Sequence, residues 1–169
     1  MGQKILLIFS CLFVLFFSAP CAHTSHQPTS TERTLKSISE KENSLYYFLV
    51  SELEELHGKK ETSLFYLDKT IKQDPHSSYL ILQKAYRLAR ENKLKKAYQI
   101  AKKIYKQETT NYDVVILLGK IHTAEAQSKK SIHFYNQAIK IKPNQEEAYH
   151  LLAREQIAQK EPKEAMITL

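Results

Sequence analysis

The chain has 169 residues, 43% of them hydrophobic, and carries 25 Lys and Arg against 18 Asp and Glu, a formal net charge of +7. That apolar share excludes a disordered chain. Three Gly, five Pro and no Trp leave few breakers, which argues against an all-β fold and predicts long helices in what the length makes a single domain.

Residues 1–22 differ in kind from the rest. Lys4 precedes an uncharged apolar run from Ile5 to Ser18, and Ser18-Ala19-Pro20-Cys21-Ala22 follows. A short positive start, an apolar core and small residues describe a secretory signal peptide. The run is short for a membrane span, which needs about 20 residues. Three fates stay open: cleavage near Ala22, lipidation of Cys21, or retention as an uncleaved anchor. Ser18 and Pro20 depart from the Leu-Ala-Gly-Cys type of lipoprotein site. The expected location is therefore exported: the periplasm, or the bacterial envelope with membrane attachment through residues 1–21. Cys11 and Cys21 are the two cysteines, so no disulfide is expected in the remainder.

Residues 23–43 are rich in Ser, Thr, Lys and Glu, with apolar side chains only at Leu35 and Ile38. Such a stretch buries too little surface to order itself, and it reads as a flexible polar tether. His23 and His26 lie within it without a third ligand, which is no metal site.

From Ser44 onward a period appears. Pro75, Thr109 and Pro143 are spaced 34 residues apart, as are Ser51, Ala85, Gly119 and Ala153, and again Ser63, Ala97, Ser131 and Ala165. The repeats are 44–77, 78–111, 112–145 and an incomplete 146–169. Apolar residues within each follow helical spacing twice, over positions 2–14 and 17–30. Small residues at positions 8, 20 and 27 let helices approach closely, large residues fill the gaps, and proline at position 32 stops the second helix. One such unit cannot bury its apolar face, whereas three or more stacked units can.

These positions resemble the tetratricopeptide repeat. Repeat three supplies Val115, Leu118, Gly119, Ser131, Tyr135, Ala138 and Pro143; repeat two departs with Lys84 at position 7, Ile104 at 27 and Thr109 at 32. The resemblance implies an α-solenoid of stacked antiparallel helix pairs. It also implies a concave groove lined by first-helix positions 2, 5, 9, 12 and 13, which here include Phe48, Glu52, Tyr79, Tyr86, Arg90, Asp113, Lys120, His150 and Arg154. Some members of that family clamp a C-terminal carboxylate with Lys and Asn in one first helix. Phe48 and Glu52 occupy the corresponding places, so that clamp is absent. At the far end Met166, Ile167 and Leu169 would be left partly uncovered. This predicts a natural chain that continues, or an end that frays or pairs with a partner.

No catalytic signature is found: neither G-x-S-x-G, nor a glycine-rich phosphate loop, nor H-E-x-x-H. Catalytic residues, cofactors and metal ligands are accordingly not expected. Glu52, Glu54 and Glu55 read as a solvated acidic face, and His122 as a core histidine. Arg87, Arg90 and the lysines at 93, 95, 96, 102, 103 and 106 make a basic stripe that could neutralise phosphate. Export disfavours nucleic acid as partner and leaves anionic lipid or polysaccharide as the alternative. The main expectation is a non-enzymatic scaffold of the bacterial cell envelope that binds a protein or peptide partner. A second is a fragment of a larger repeat protein whose missing part carries the activity. Oligomeric state is not legible.

Overall fold

A computed structural model describes residues 30–160 and 162–168; the leader, Cys21 and Leu169 lie outside the described residues. Eight α-helices and no strand occur among them: α1 (Ser30–Leu56), α2 (Lys60–Gln73), α3 (Ser78–Arg90), α4 (Leu94–Gln107), α5 (Tyr112–Ala124), α6 (Ser128–Ile141), α7 (Glu146–Ala158) and α8 (Pro162–Thr168). Residues 37–169 form one unit, in which consecutive helices pack as antiparallel pairs and each pair stacks on the next. This is the α-solenoid that the repeat pattern predicts. Among the described residues no helix is long and apolar enough to cross a membrane.

The small positions sit where helices touch. Ser51, Ala85, Ser63, Ala97 and Ser131 are fully buried, and Ala153 and Ala165 nearly so. The most crowded is Gly119, where a Cβ would overlap Cε1 of Tyr135 and stand 2.7 Å from its Cδ1. Sixteen residues after Ser51, Ala85 and Gly119 the second helices carry Leu67, Ala101 and Tyr135, all three fully buried. The largest of the three, Tyr135, lies against the position that has no side chain.

The turns inside each pair repeat in detail. Gly58, Asn92, Ala126 and Lys160, 34 residues apart, all take positive φ, at 73°, 58°, 55° and 64°. Three of these turns share one hydrogen-bond scheme. The N–H of Lys59, Lys93 and Gln127 donates to the carbonyl of Glu54, Leu88 and His122, at 2.9, 2.9 and 2.8 Å. This is the double closure of a helix end in which the left-handed residue turns the chain. Between pairs, Ser77 and Asn111 cap the following helix, accepting from the N–H of Leu80 and Val114. Gln145 stands at the same place before α7 without a side-chain cap.

Two expectations change. Proline is not required to end a second helix, because α4 stops at Gln107, in the same register as α2 and α6, with Thr109 where they have Pro75 and Pro143. After α4, Asn111 caps the helix that follows, and Ile104 in the last turns is 4% exposed. And α1 begins at Ser30, inside the stretch read as a tether. Between Pro28 and Gly58 there is neither Pro nor Gly, and Glu, Lys and Leu are good helix formers, so nothing interrupts the helix.

Candidate binding row on the first helices

The predicted groove residues occupy α1, α3, α5 and α7, and contacts link neighbouring helices along that row. The ring of Phe48 on α1 lies 6.3 Å from that of Tyr79 on α3. The Tyr86 hydroxyl on α3 donates to the Asp113 carbonyl on α5 at 2.8 Å. Lys120 on α5 pairs with Glu147 on α7 at 2.6 Å. The candidates thus run contiguously from α1 to α7. At the α7 end, His150 shares an open depression of about 430 Å³ with Glu146, Tyr149 and Thr168.

Availability differs among them. Tyr79, Arg90, Asp113, His150 and Arg154 are exposed, while Phe48, Glu52, Tyr86 and Lys120 are half-buried. Burial, reinforced by the negative charges of Asp113 and Glu147, pushes the Tyr86 hydroxyl far above the usual tyrosine range. It therefore stays a neutral donor at all physiological pH values. Position 5 is not uniformly accessible: Leu82 and Ile116 hold it in the middle pairs and are 5% and 1% exposed. Among the described residues, no ion pair engages Arg154 or His150.

The acidic cluster on α1 is not merely solvated. Arg87, 2% exposed, projects from α3 into the α1–α2 pair. Its guanidinium donates to the Ser51 and Ser63 hydroxyls and pairs with the Glu52 carboxylate, and its Nε lies 3.6 Å from Glu55. Arg90 pairs with Glu55 at 2.9 Å, and Glu54 with Lys59 at 3.5 Å. Two of the predicted groove residues, Glu52 and Arg90, are therefore also ties between the first two helix pairs. Arg87 leaves the basic stripe altogether. A small hydroxyl on each facing helix makes room for the guanidinium and satisfies it, which a pattern of apolar positions cannot signal.

Sequence reasoning missed Glu147, although it follows Tyr79 and Asp113 by the same 34-residue step. His122 is in the core, 5% exposed, stacked on Phe134 at 5.5 Å with its ring edge-on to Tyr98. Burial holds its imidazole below the ordinary histidine range, with Glu125 opposing. The lysines at 95, 96, 102, 103 and 106 are exposed on α4. Among the described residues no group of three or more His, Cys, Asp or Glu is placed to hold a metal ion.

Residues 88–155 match the tetratricopeptide repeat family. No curated protein matches the chain. Solved structures do. MamA from Desulfovibrio magneticus RS-1, from its residue 41 to the end, superposes with a TM-score of 0.65 at 16% identity, covering 82% of this chain and 86% of that one. The tetratricopeptide domain of Arabidopsis OM64 superposes at 0.60 with 13% identity, over 69% of this chain and 96% of that one. The first such domain of Spaghetti (RPAP3), bound to the HSP90 peptide SRMEEVD, superposes at 0.62 with 17% identity, over 70% and 94%. At these identities the likeness is one of fold, an α-solenoid of tetratricopeptide type.

Proposed function

We propose that this solenoid of tetratricopeptide type is a non-enzymatic scaffold that binds an extended peptide or a helix along the faces of α1, α3, α5 and α7. The observation that carries the reading is the row itself: aromatic and charged side chains recur at the same register positions on four successive first helices, and five of the nine remain exposed. Binding of a peptide by a relative of the same fold supports it. With Phe48 and Glu52 where a carboxylate clamp would lie, the ligand is an internal segment rather than a free C-terminus. Arg90, Lys120 and Arg154 favour acidic side chains in that segment, and Phe48 with Tyr79 favours an apolar or aromatic one at the α1 end. The signal-peptide pattern of the leader supports a location outside the cytoplasm, in the periplasm or attached to the envelope membrane through residues 1–21, with Cys21 as the lipidation candidate.

A displayed library of random peptides, selected on the purified chain, tests this. Selected peptides should be enriched in Asp and Glu flanking one aromatic residue. Their affinity should fall about ten-fold or more in Arg90→Glu/Lys120→Glu/Arg154→Glu. Lys95→Glu/Lys102→Glu/Lys103→Glu, on the exposed face of α4, should leave it within about two-fold. The reverse pattern would move the site to the α4 lysines and favour the second reading, a basic surface for anionic lipid or polysaccharide. Mass spectrometry of the mature N-terminus separates cleavage after Ala22 from lipidation of Cys21 and from an uncleaved anchor.

A further inference from the structure

The junction between helix pairs is made three times within the chain, at the same register positions each time. On the incoming first helix, Val114, Leu117 and Ile121 of α5 are at most 1% exposed, and Ala148, Leu151 and Glu155 of α7 at most 8%. One repeat length before α3, the same three positions on α1 hold Tyr46, Leu49 and Leu53. These are 57%, 57% and 50% exposed. An apolar stripe therefore lies open on α1 where α5 and α7 are covered by the preceding pair.

The opposite half of the junction shows the same thing in reverse. Each residue at the register of Leu53 is associated with a recurring position of the preceding pair. Arg87 meets Glu55 at 3.6 Å, Ile121 shares a core cluster with Ala89, and Glu155 accepts from the Thr123 hydroxyl at 2.8 Å. The next residue in the series 55, 89, 123 is Ile157, which is 58% exposed. The register of Leu49 behaves alike. Leu117 packs in one cluster with Tyr98, and Leu151 in another with Ile132; the following residue, Met166, is 81% exposed.

Each internal junction is chemically matched in its own way: ionic, apolar, then hydrogen-bonded. Among the described residues, the exposed positions of the two halves match each other, Leu53 with Ile157 and Leu49 with Met166, all apolar. We propose that α1 of one copy stacks on α7 and α8 of a second copy, continuing the internal junction from molecule to molecule. The contact joins unlike surfaces, so it leaves one free face at each end and builds open chains of copies. It is independent of the groove reading, since it uses the ends of the stack and not the row of first-helix faces.

Analytical ultracentrifugation of the full chain at rising concentration tests the proposal. The wild type should grow beyond monomer in a concentration-dependent series. Leu53→Glu and Ile157→Lys, each at an exposed position, should each remain helical by circular dichroism and raise the apparent dissociation constant by about ten-fold or more. Mixed in equal amounts they should form a species that stops at the dimer, because one variant keeps an intact α7–α8 face and the other an intact α1 face. A wild type that is monomeric up to about 0.1 mM overturns the proposal. So does association blocked by Leu53→Glu but not by Ile157→Lys, which would mean α1 pairing with α1. Association untouched by either change would place the contact elsewhere, in the apolar run of residues 5–18 or on another surface, and overturns it equally.

Discussion

Replacing Gly119 with alanine sets two effects of opposite sign against each other. Inside an unconstrained helix alanine is favoured over glycine by about 1 kcal/mol. At this site the added Cβ would overlap Cε1 of Tyr135 and lie 2.7 Å from Cδ1 and 3.1 Å from Cζ, where carbon atoms settle at about 3.5–4.0 Å. The ring has nowhere to go: Tyr135 is fully buried, and its hydroxyl is held 2.9 Å from that of Thr123. Displacing it is an overpacking defect worth about 1–3 kcal/mol, here toward the upper end because three ring atoms are met at once. The net expectation is a loss of about 1–2 kcal/mol and a thermal midpoint lower by about 3–8 °C. Thermal and urea melts followed by circular dichroism read it. The companion change Tyr135→Leu supplies the residue that Leu67 holds at the same register of the first pair and frees the space. The double variant should then be more stable than the two single losses predict, by about 1 kcal/mol or more. A Gly119→Ala chain that gains stability, or singles that simply add, would refute size compensation between these helices.

Arg87→Met leaves the Ser51 and Ser63 hydroxyls and the Glu52 carboxylate without their shared partner, and should cost about 2–4 kcal/mol, below the range for a fully buried pair because the Glu52 side chain is 43% exposed. Arg90→Met, at a side chain 60% exposed, should cost under about 1 kcal/mol; equal urea midpoints for the two would contradict the burial argument. Burial lowers the His122 pKa below its ordinary 6.5, so as pH falls the unfolded chain takes the proton first. Stability is then level above about pH 6.5 and declines below it. His122→Phe should flatten that decline in melts run from neutral to mildly acidic pH, and an unaltered slope would assign it to other groups. Ala126, held at φ 55°, should accept glycine with a gain of about 0.5–1 kcal/mol, whereas a loss would mean the turn is not strained.

The fold was legible because its determinants are local in register. Small residues returning every 34 positions specify close helix contacts, and those contacts recur whatever the residues between them. The surface of the first helices was only partly legible. Phe48, Tyr79 and Asp113 sit in the expected row, yet Leu82 and Ile116 close the same register in the middle pairs, because an apolar residue there joins the core. Arg87 was misread as surface because a guanidinium is ordinarily solvated. Its burial depends on two serines and a glutamate from another helix pair, a three-way coincidence with no signature along the chain. The upstream part of α1 escaped for the opposite reason: a polar stretch without Pro or Gly carries no apolar pattern to announce a helix.

The four turns at 58, 92, 126 and 160 share a left-handed residue, with φ between 55° and 73°, while bearing Gly, Asn, Ala and Lys there. A conformation that tolerates such different residues is imposed by the helices on either side of it, and the turn residue follows. Any segment cut at two of these turns is therefore an interchangeable cassette with compatible ends. A genetic duplication or deletion of 34 codons with its boundaries there would arrive already spliced in geometry, needing no new turn. The number of helix pairs is in that sense a heritable variable that can change in one event, while the chemistry of each junction must be relearned residue by residue.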